Sequence, residues 1–259
     1  MGHHRQQRSR VSVMLADIES IERATLAAVA PERVEALPGW LLPMDHGTVG
    51  RAHAAVPLWH DPASIAPWQA VAERYLAAGH RPVFRLPETP AFGHMQTELA
   101  AAGWHRAQPT QVQVAPLAGL LGADTAACTL DERPDAAWMA MFLGEGLDPV
   151  DGASRSAALA RAQDSRYASL RVDGETRACG MACFAHGWLS VHGMRTAAAH
   201  RGQGLATRVL AAMAQEALAR GTQRVFLQVD ASNAPALSLY QRLGFGQAWT
   251  YTYWRPSQP

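Results

Sequence analysis

The stretch T-A-A-A-H-R-G-Q-G-L-A-T-R-V-L, Thr196 to Leu210, decides how this chain is read. A β-like run from Trp188 to Thr196 leads into it. A helical pattern leaves it, with Leu205, Val209, Met213 and Ala217 along one side and Ala206, Leu210, Ala214 and Leu218 beside them. Gly202 and Gly204 therefore fall where a strand turns into a helix. Glycine lets a backbone come close to a ligand and tolerates unusual dihedral angles. The first amides of a helix lack internal partners and carry the positive end of its dipole. Such a turn suits a phosphate or pyrophosphate, and Arg201 adds a full positive charge beside it. Strand-to-helix geometry alone also asks for glycine, so the loop by itself leaves both readings open.

Composition narrows the field. At 259 residues the chain can hold one large domain or two of ordinary size, and 48% hydrophobic residues supply a real core. A formal charge of +1 argues against a dedicated nucleic-acid binder, whose affinity rests on neutralising phosphates. Cys128, Cys179 and Cys183 form neither a zinc spacing nor an even disulfide set, so no metal site is expected and a reducing compartment fits. Cys179 and Cys183 are expected to be buried small residues. Every long apolar stretch is interrupted by charge, glycine or proline, so none is expected to span a bilayer. Residues 1–10 are polar and basic and read as a mobile tail without a signal-peptide core. The expectation is a soluble, cytoplasmic protein.

In chain order, a helix is expected over 14–30, stopped by Pro31, then extended runs over 34–42 and 51–58. A helix should run from Asp61-Pro62 to Ala78 and stop at Gly79. A strand over 82–86, a helix over 95–102 and a strand over 111–114 follow. Residues 115–130 are loosely patterned and read as a boundary. Beyond it come a helix opened by Pro134-Asp135, a second over 154–163, and strands over 167–172, 177–184 and 188–196 joined by Asp173-Gly174 and His186-Gly187 turns. After the long helix, a strand over 224–229, a helix over 234–243 and a strand over 249–254 close the pattern.

The two halves look alike. Val83-Phe84 and Val225-Phe226 lie 142 residues apart, as do Gly79 and Gly221, and Leu76 and Leu218. Gly103-Trp104 matches Gly244-Phe245 at nearly the same offset. One unit repeated twice is the economical reading, residues 11–118 and 126–259. The offset sets Arg201-Gly202-Gln203-Gly204 against Trp59-His60-Asp61-Pro62. The first half offers there an Asp that repels phosphate and a Pro with no amide to donate, so only the second half is expected to hold an anion.

With these residues in view, the second half resembles the GCN5-related N-acetyltransferases, the GNAT family. Two motifs carry the resemblance: R-G-Q-G-L-A at Arg201 to Ala206, and N-A-P-A-L-S-L-Y-Q-R-L-G-F at Asn233 to Phe245. The first half is similar to the degenerate N-terminal half of tandem members. The resemblance implies an α/β (α+β) fold of two units, each a mixed, mostly antiparallel sheet flanked by helices and splayed to hold acetyl-CoA. It implies that the amides of Gly202, Gln203, Gly204, Leu205 and Ala206 cradle the pyrophosphate beside Arg201. It implies that Met194, Arg195 and Thr196 bind the pantetheine as an added strand, that Asn233 contacts the cofactor arm, and that Tyr240 protonates the departing thiolate. A phenol near pKa 10 is suited to that last step.

Bland readings stand beside these. Asn233 also fits a helix N-cap, and Tyr240 a half-buried core aromatic. The chain departs from the family's usual Val-x-Pro before the loop, having Thr196-Ala197-Ala198. No Glu lies on the strand 188–196, so the base that takes the amine's proton is sought in His192, with a reference pKa near 6.5, or in Glu145. The implied activity is acetyl transfer from acetyl-CoA to a small-molecule or peptide amine, with no nucleic acid and no membrane involved. The alternative is a non-catalytic acetyl-CoA-binding or interaction module. A dinucleotide-binding domain is disfavoured, because R-G-Q-G is followed by no third glycine and no acidic residue closes the next strand before Asp230.

Overall fold

The computed structural model describes residues 15–257; the expected tail, 1–10, lies outside them. Helix α1, Leu15–Val29, is followed by the hairpin β1, Arg33–Leu37, and β2, Trp40–Met44, then by the helical turn α2, Gly50–His53, and the short β3, Val56–Pro57. Helix α3, Trp68–Ala77, strand β4, Phe84–Pro87, helix α4, Gly93–Ala101, and the long β5, Trp104–Pro116, come next. The remainder comprises β6, Cys128–Asp131; α5, Ala136–Ala140; α6, Pro149–Ala160; β7, Ser165–Val172; β8, Glu175–Ala185; β9, Trp188–Thr196; α7, Leu205–Ala219; β10, Arg224–Asp230; α8, Ala234–Arg242; and β11, Gly246–Pro256.

Strands β1, β2 and β3 form a small antiparallel sheet. The other eight make one sheet in the order β4-β11-β5-β10-β9-β8-β7-β6, parallel only between β9 and β10. The mixed, mostly antiparallel sheet flanked by helices is as expected. It is not two sheets set side by side, however. Strand β5 lies between β10 and β11, and β11 lies between β5 and β4. One continuous sheet therefore joins strands from both sides of the boundary expected at 115–130.

Alternation along the strands assigns the faces. Ala168, Leu170, Ala178, Ala182, Leu189, Val191, Val225, Leu227 and Val229 bury one face under α7 and α8, through Val209, Leu210, Met213 and Tyr240. Tyr167, Cys179, Met181 and Cys183 turn the other way, under Trp138, Phe142 and Leu159 of the α5–α6 region. Trp188 and Phe226 do the same against Ile18, Ile21 and Ala24 of α1. Cys179 and Cys183 are buried, as anticipated.

Three local expectations fail for physical reasons. Residues 51–58 are not one strand: Ala52, Ala54, Ala55 and Val56 are all buried, and a run of small apolar residues carries no period to separate helix from strand. The helix expected from Asp61 to Ala78 is split into a 3-10 turn at Pro62–Ser64 and α3, with Pro67 as N-cap, because a proline disfavours helical backbone in the residue before it. Strand β6 was not expected; its four residues only half-bury alternate side chains.

Candidate active site

Strands β9 and β10 run parallel but stay paired only at Leu189–Val225, Ser190–Phe226 and Val191–Leu227. Beyond that point they part, and His192–Arg195 on one side and Gln228–Asp230 on the other line a cleft of about 280 Å³. The parted edges hold backbone amides and carbonyls without a neighbouring strand between them, so an extended ligand can take that place. The cleft passes through the sheet. Asn233, Ala236 and Tyr240 of the α8 region line it on one face; Val29, Val49, Arg51, Phe142, Arg155 and Leu159 line it on the other.

A bulge in β9 shapes its wall. Cys179 pairs with Arg195 and Met181 with His192, so Gly193 and Met194 together oppose the single Gly180. Bulges re-aim backbone groups and side chains. Gly193 has φ +62°, and a Cβ there would stand 2.8 Å from Leu159 and 2.9 Å from Phe142. Only glycine fits both the backbone and the space. An isolated glycine inside a strand pattern is itself a bulge signal, so this feature was available from the sequence.

The glycine loop opens the α7–α8 face. Gly202 and Gly204 both have φ +74°, and nothing stands within 4 Å of a Cβ built on either. Gly204 is the N-cap of α7 and gives no side-chain cap, so the first amides of the helix remain for a ligand. Arg201, Gly202 and Gln203 are exposed, Leu205 is buried in the core and Ala206 is half-buried.

Of the other sequence-predicted residues, His192, Met194, Arg195, Asn233 and Tyr240 all meet in the cleft. Thr196 sits just beyond, paired to Ala178. Glu145 is exposed in the loop before α6 and does not line the cleft. Asn233 caps α8, its Oδ1 accepting from the Ala236 amide at 3.3 Å. Tyr240 is 8% exposed and packs edge-on to Phe245. Burial pushes its phenol above the ordinary value, with the Arg195 guanidinium opposing. A phenol held protonated in this way can donate.

His192 is 3% exposed, edge-on to Phe226, and neither ring nitrogen has a partner. Burial, and after it the Arg51 charge, hold it well below the usual imidazole range. It is therefore neutral near pH 7 and can accept a proton, though weakly.

Arg51, Arg155, Gln228 and Phe142 were missed, since nothing local distinguishes them. The fold brings them in. The Thr48 amide donates to Ser154 Oγ at 2.9 Å, Thr48 Oγ1 to Asp151 at 2.6 Å, and Arg161 to Asp45 at 2.8 Å, which fixes the loop ahead of α2 against α6. Among the described residues no cluster could hold a metal ion, and no helix is long and apolar enough to cross a membrane.

The family described as "Probable histone acetyltransferase Rv0428c C-terminal" matches residues 15–254. The uncharacterized N-acetyltransferase YobR of Bacillus subtilis is 28% identical over 117 residues, 44% of this chain and 47% of that protein. The mycothiol acetyltransferase of Corynebacterium aurimucosum is 40% identical over 58 residues, 22% and 19% of the two chains. The match thus spans about half of the first relative and a fifth of the second. A GCN5-related N-acetyltransferase from Kribbella flavida shares the fold at TM-score 0.67 and 19% identity, covering 93% of this chain and 96% of its own. A tandem GNAT protein from the clavulanic acid biosynthesis pathway shares it at 0.54 and 16%, covering 95% and 98%.

Proposed function

Because the chain belongs to this acetyltransferase family, which is of the GNAT type, we propose that it moves an acetyl group from acetyl-CoA to a primary amine by direct attack in a ternary complex. The observation that carries the reading is the cleft through the sheet, with a helix N-terminus and glycine loop on one face and ionisable side chains on the other. Acetyl-CoA supplies an activated thioester when bound. The residues present fit it: two open left-handed glycines, uncapped α7 amides and the parted backbone edges of β9 and β10.

The chain's own residues then have distinct roles. The amides from Gly202 to Ala206 and the Arg201 charge bind the pyrophosphate. Backbone of Met194–Thr196 orients the pantetheine, and a re-aimed amide at the bulge polarises the thioester carbonyl. Asn233 borders the arm while capping α8. Tyr240 donates a proton to the thiolate. His192, on the α1 face, takes the proton from the amine, directly or through water. Glu145 is the alternative base and reaches the cleft only if its loop moves inward. The two stretches 11–118 and 126–259 read as copies of one unit that have exchanged their final strands, the first supplying the wall around Arg51.

Acetyl-CoA, an amine panel and a thiol reagent test this. Amine-dependent release of free CoA is expected, with a lysine-rich histone peptide included because the family's description names histones. Tight CoA binding without release to any amine favours the non-catalytic module.

A further inference from the structure

Three guanidiniums gather at the mouth of the cleft opposite α7. Arg51 of α2, Arg155 of α6 and Arg195 of β9 line it, with Asp230 the one carboxylate in the lining and Glu22 and Asp151 acting from outside it on Arg51 and Arg195. The Asp230 carboxylate is engaged locally, accepting from the amide and hydroxyl of Ser232. Among the described residues the Arg51 guanidinium makes no hydrogen bond or ion pair. Arg195 donates only to the Met194 carbonyl, at 3.3 Å; its buried Nε has no partner and its guanidinium stacks 5.1 Å from the Phe142 ring. Arg155 shares one carboxylate, Asp151, at 2.7 Å. The buried, unpartnered His192 ring adjoins them in the same cleft.

Burial and then a neighbouring positive charge act on two of these groups: Arg155 disfavours the charged form of Arg195, with Asp151 opposing, and Arg51 disfavours that of His192. A half-buried cluster of like charges with donors unused is relieved by an anion, and guanidinium forks match carboxylates in geometry. The anion is not a phosphate of the cofactor, because Arg51 and Arg155 lie on the face opposite the glycine loop and α7. Building on the acetyltransferase reading, we propose that the acceptor is a small amine that also carries a carboxylate, held by Arg51, Arg155 and Arg195. The same charges disfavour a lysine-rich peptide.

The test uses the full chain with saturating acetyl-CoA and three sets of acceptors: ω-aminocarboxylates and L-amino acids, the primary amide of each, and a lysine-rich peptide. Carboxylates should exceed their amides in kcat/KM by about 10- to 100-fold, the scale of one charge-assisted hydrogen bond. Arg51→Gln should erase that ratio by raising KM, with acetyl-CoA affinity unchanged, and Arg51→Lys should restore part of it. Arg155→Gln serves if Arg51→Gln does not fold. Equal or faster transfer to amides or to the peptide overturns the proposal and leaves the acetyltransferase reading standing. If no amine is acetylated, that reading fails, and calorimetry on the CoA-saturated protein decides the site. Carboxylate binding lost in Arg51→Gln supports it; equal binding of carboxylate and amide overturns it.

Discussion

Two loops that the repeat expected from the sequence sets against each other, 142 residues apart in the chain, are built in opposite ways toward a negative charge. At Arg201–Gly204 the backbone turns twice through left-handed glycines and delivers uncapped amides at the start of the 15-residue α7. At Trp59–Pro62 the chain brings its own carboxylate. Asp61 accepts from the Ala63 amide at 3.2 Å and from Ser64 Oγ at 2.5 Å. The turn it caps is three residues long, and α3 starts only at Trp68. His60 is wedged edge-on against Phe92 and Trp249. An anion site thus needs more than a strand-to-helix turn: its amides must be left unsatisfied and must open a full helix.

The sharpest break of that contrast is Gly204→Asp. The substitution places a carboxylate where the pyrophosphate is proposed and forces a non-glycine residue to φ +74°. Calorimetry should give one CoA per chain for the wild type and none measurable for the variant. Circular dichroism should show the fold kept, at a cost of about 1–2 kcal/mol. Retained affinity would move the phosphate site elsewhere.

Tyr240→Phe probes the second motif, whose counterpart in the first half falls near Glu98 and Leu99 and supplies no phenol. Turnover should drop by about 10²- to 10⁴-fold, with acetyl-CoA affinity nearly unchanged, because the hydroxyl acts mainly in the transition state. Wild-type turnover, measured where chemistry limits the rate, removes the acid role.

Acid should then act on two imidazoles, the half-buried His60 and the buried His192. Burial holds His60 down at about 4 and His192 well below its ordinary value. A folded pKa below the unfolded one means that the unfolded chain takes up protons the folded chain refuses. Stability is therefore full above about pH 6.5 and falls on acidification, through the window from 6.5 to about 4 for His60. Each group contributes at most about 1.4 kcal/mol per pH unit. Denaturant titrations of His60→Phe should show a shallower acid slope than wild type; an unchanged slope would mean that His60 is not held neutral.

The smallest effect is expected at Asp61→Ala, which frees the Ala63 amide without adding a helix. It should cost about 1 kcal/mol in chemical denaturation and leave CoA binding at one per chain. A second site would show that the carboxylate alone separates the two loops.

How legible all this was follows from the range of the signals. The α7 loop could be read because glycine and helical period are local. Tyr240 and Asn233 could be read because they sit in one thirteen-residue motif, Asn233 to Phe245. The matched Val-Phe, Gly and Gly-aromatic positions suggested a repeat. The pairing of β5 with β10 and β11 was hidden, since no strand's sequence states which strand it will pair with. Arg51 was hidden too: no pattern near it marks a site, and only the Thr48–Ser154 and Arg161–Asp45 contacts bring it to the cleft. Glu145 illustrates the converse: its residue type suited a base, yet it lies outside the cleft.

The place of β5 between β10 and β11 also sets an order of assembly during synthesis. Strand β5 is complete at Pro116, but its partners are β10 and β11, and the latter ends at Pro256. At ribosomal rates of about 5–20 residues per second, the intervening 140 or so residues take roughly 7–28 s. Until β10 is made both edges of a 13-residue strand, Val112 and Val114 included, stand open to any other nascent chain, and until β11 is made one of them does. The sheet cannot close until its last strand is made, so yield in cells should respond to chaperone supply and to the pace of translation as well as to the stability of the finished sheet.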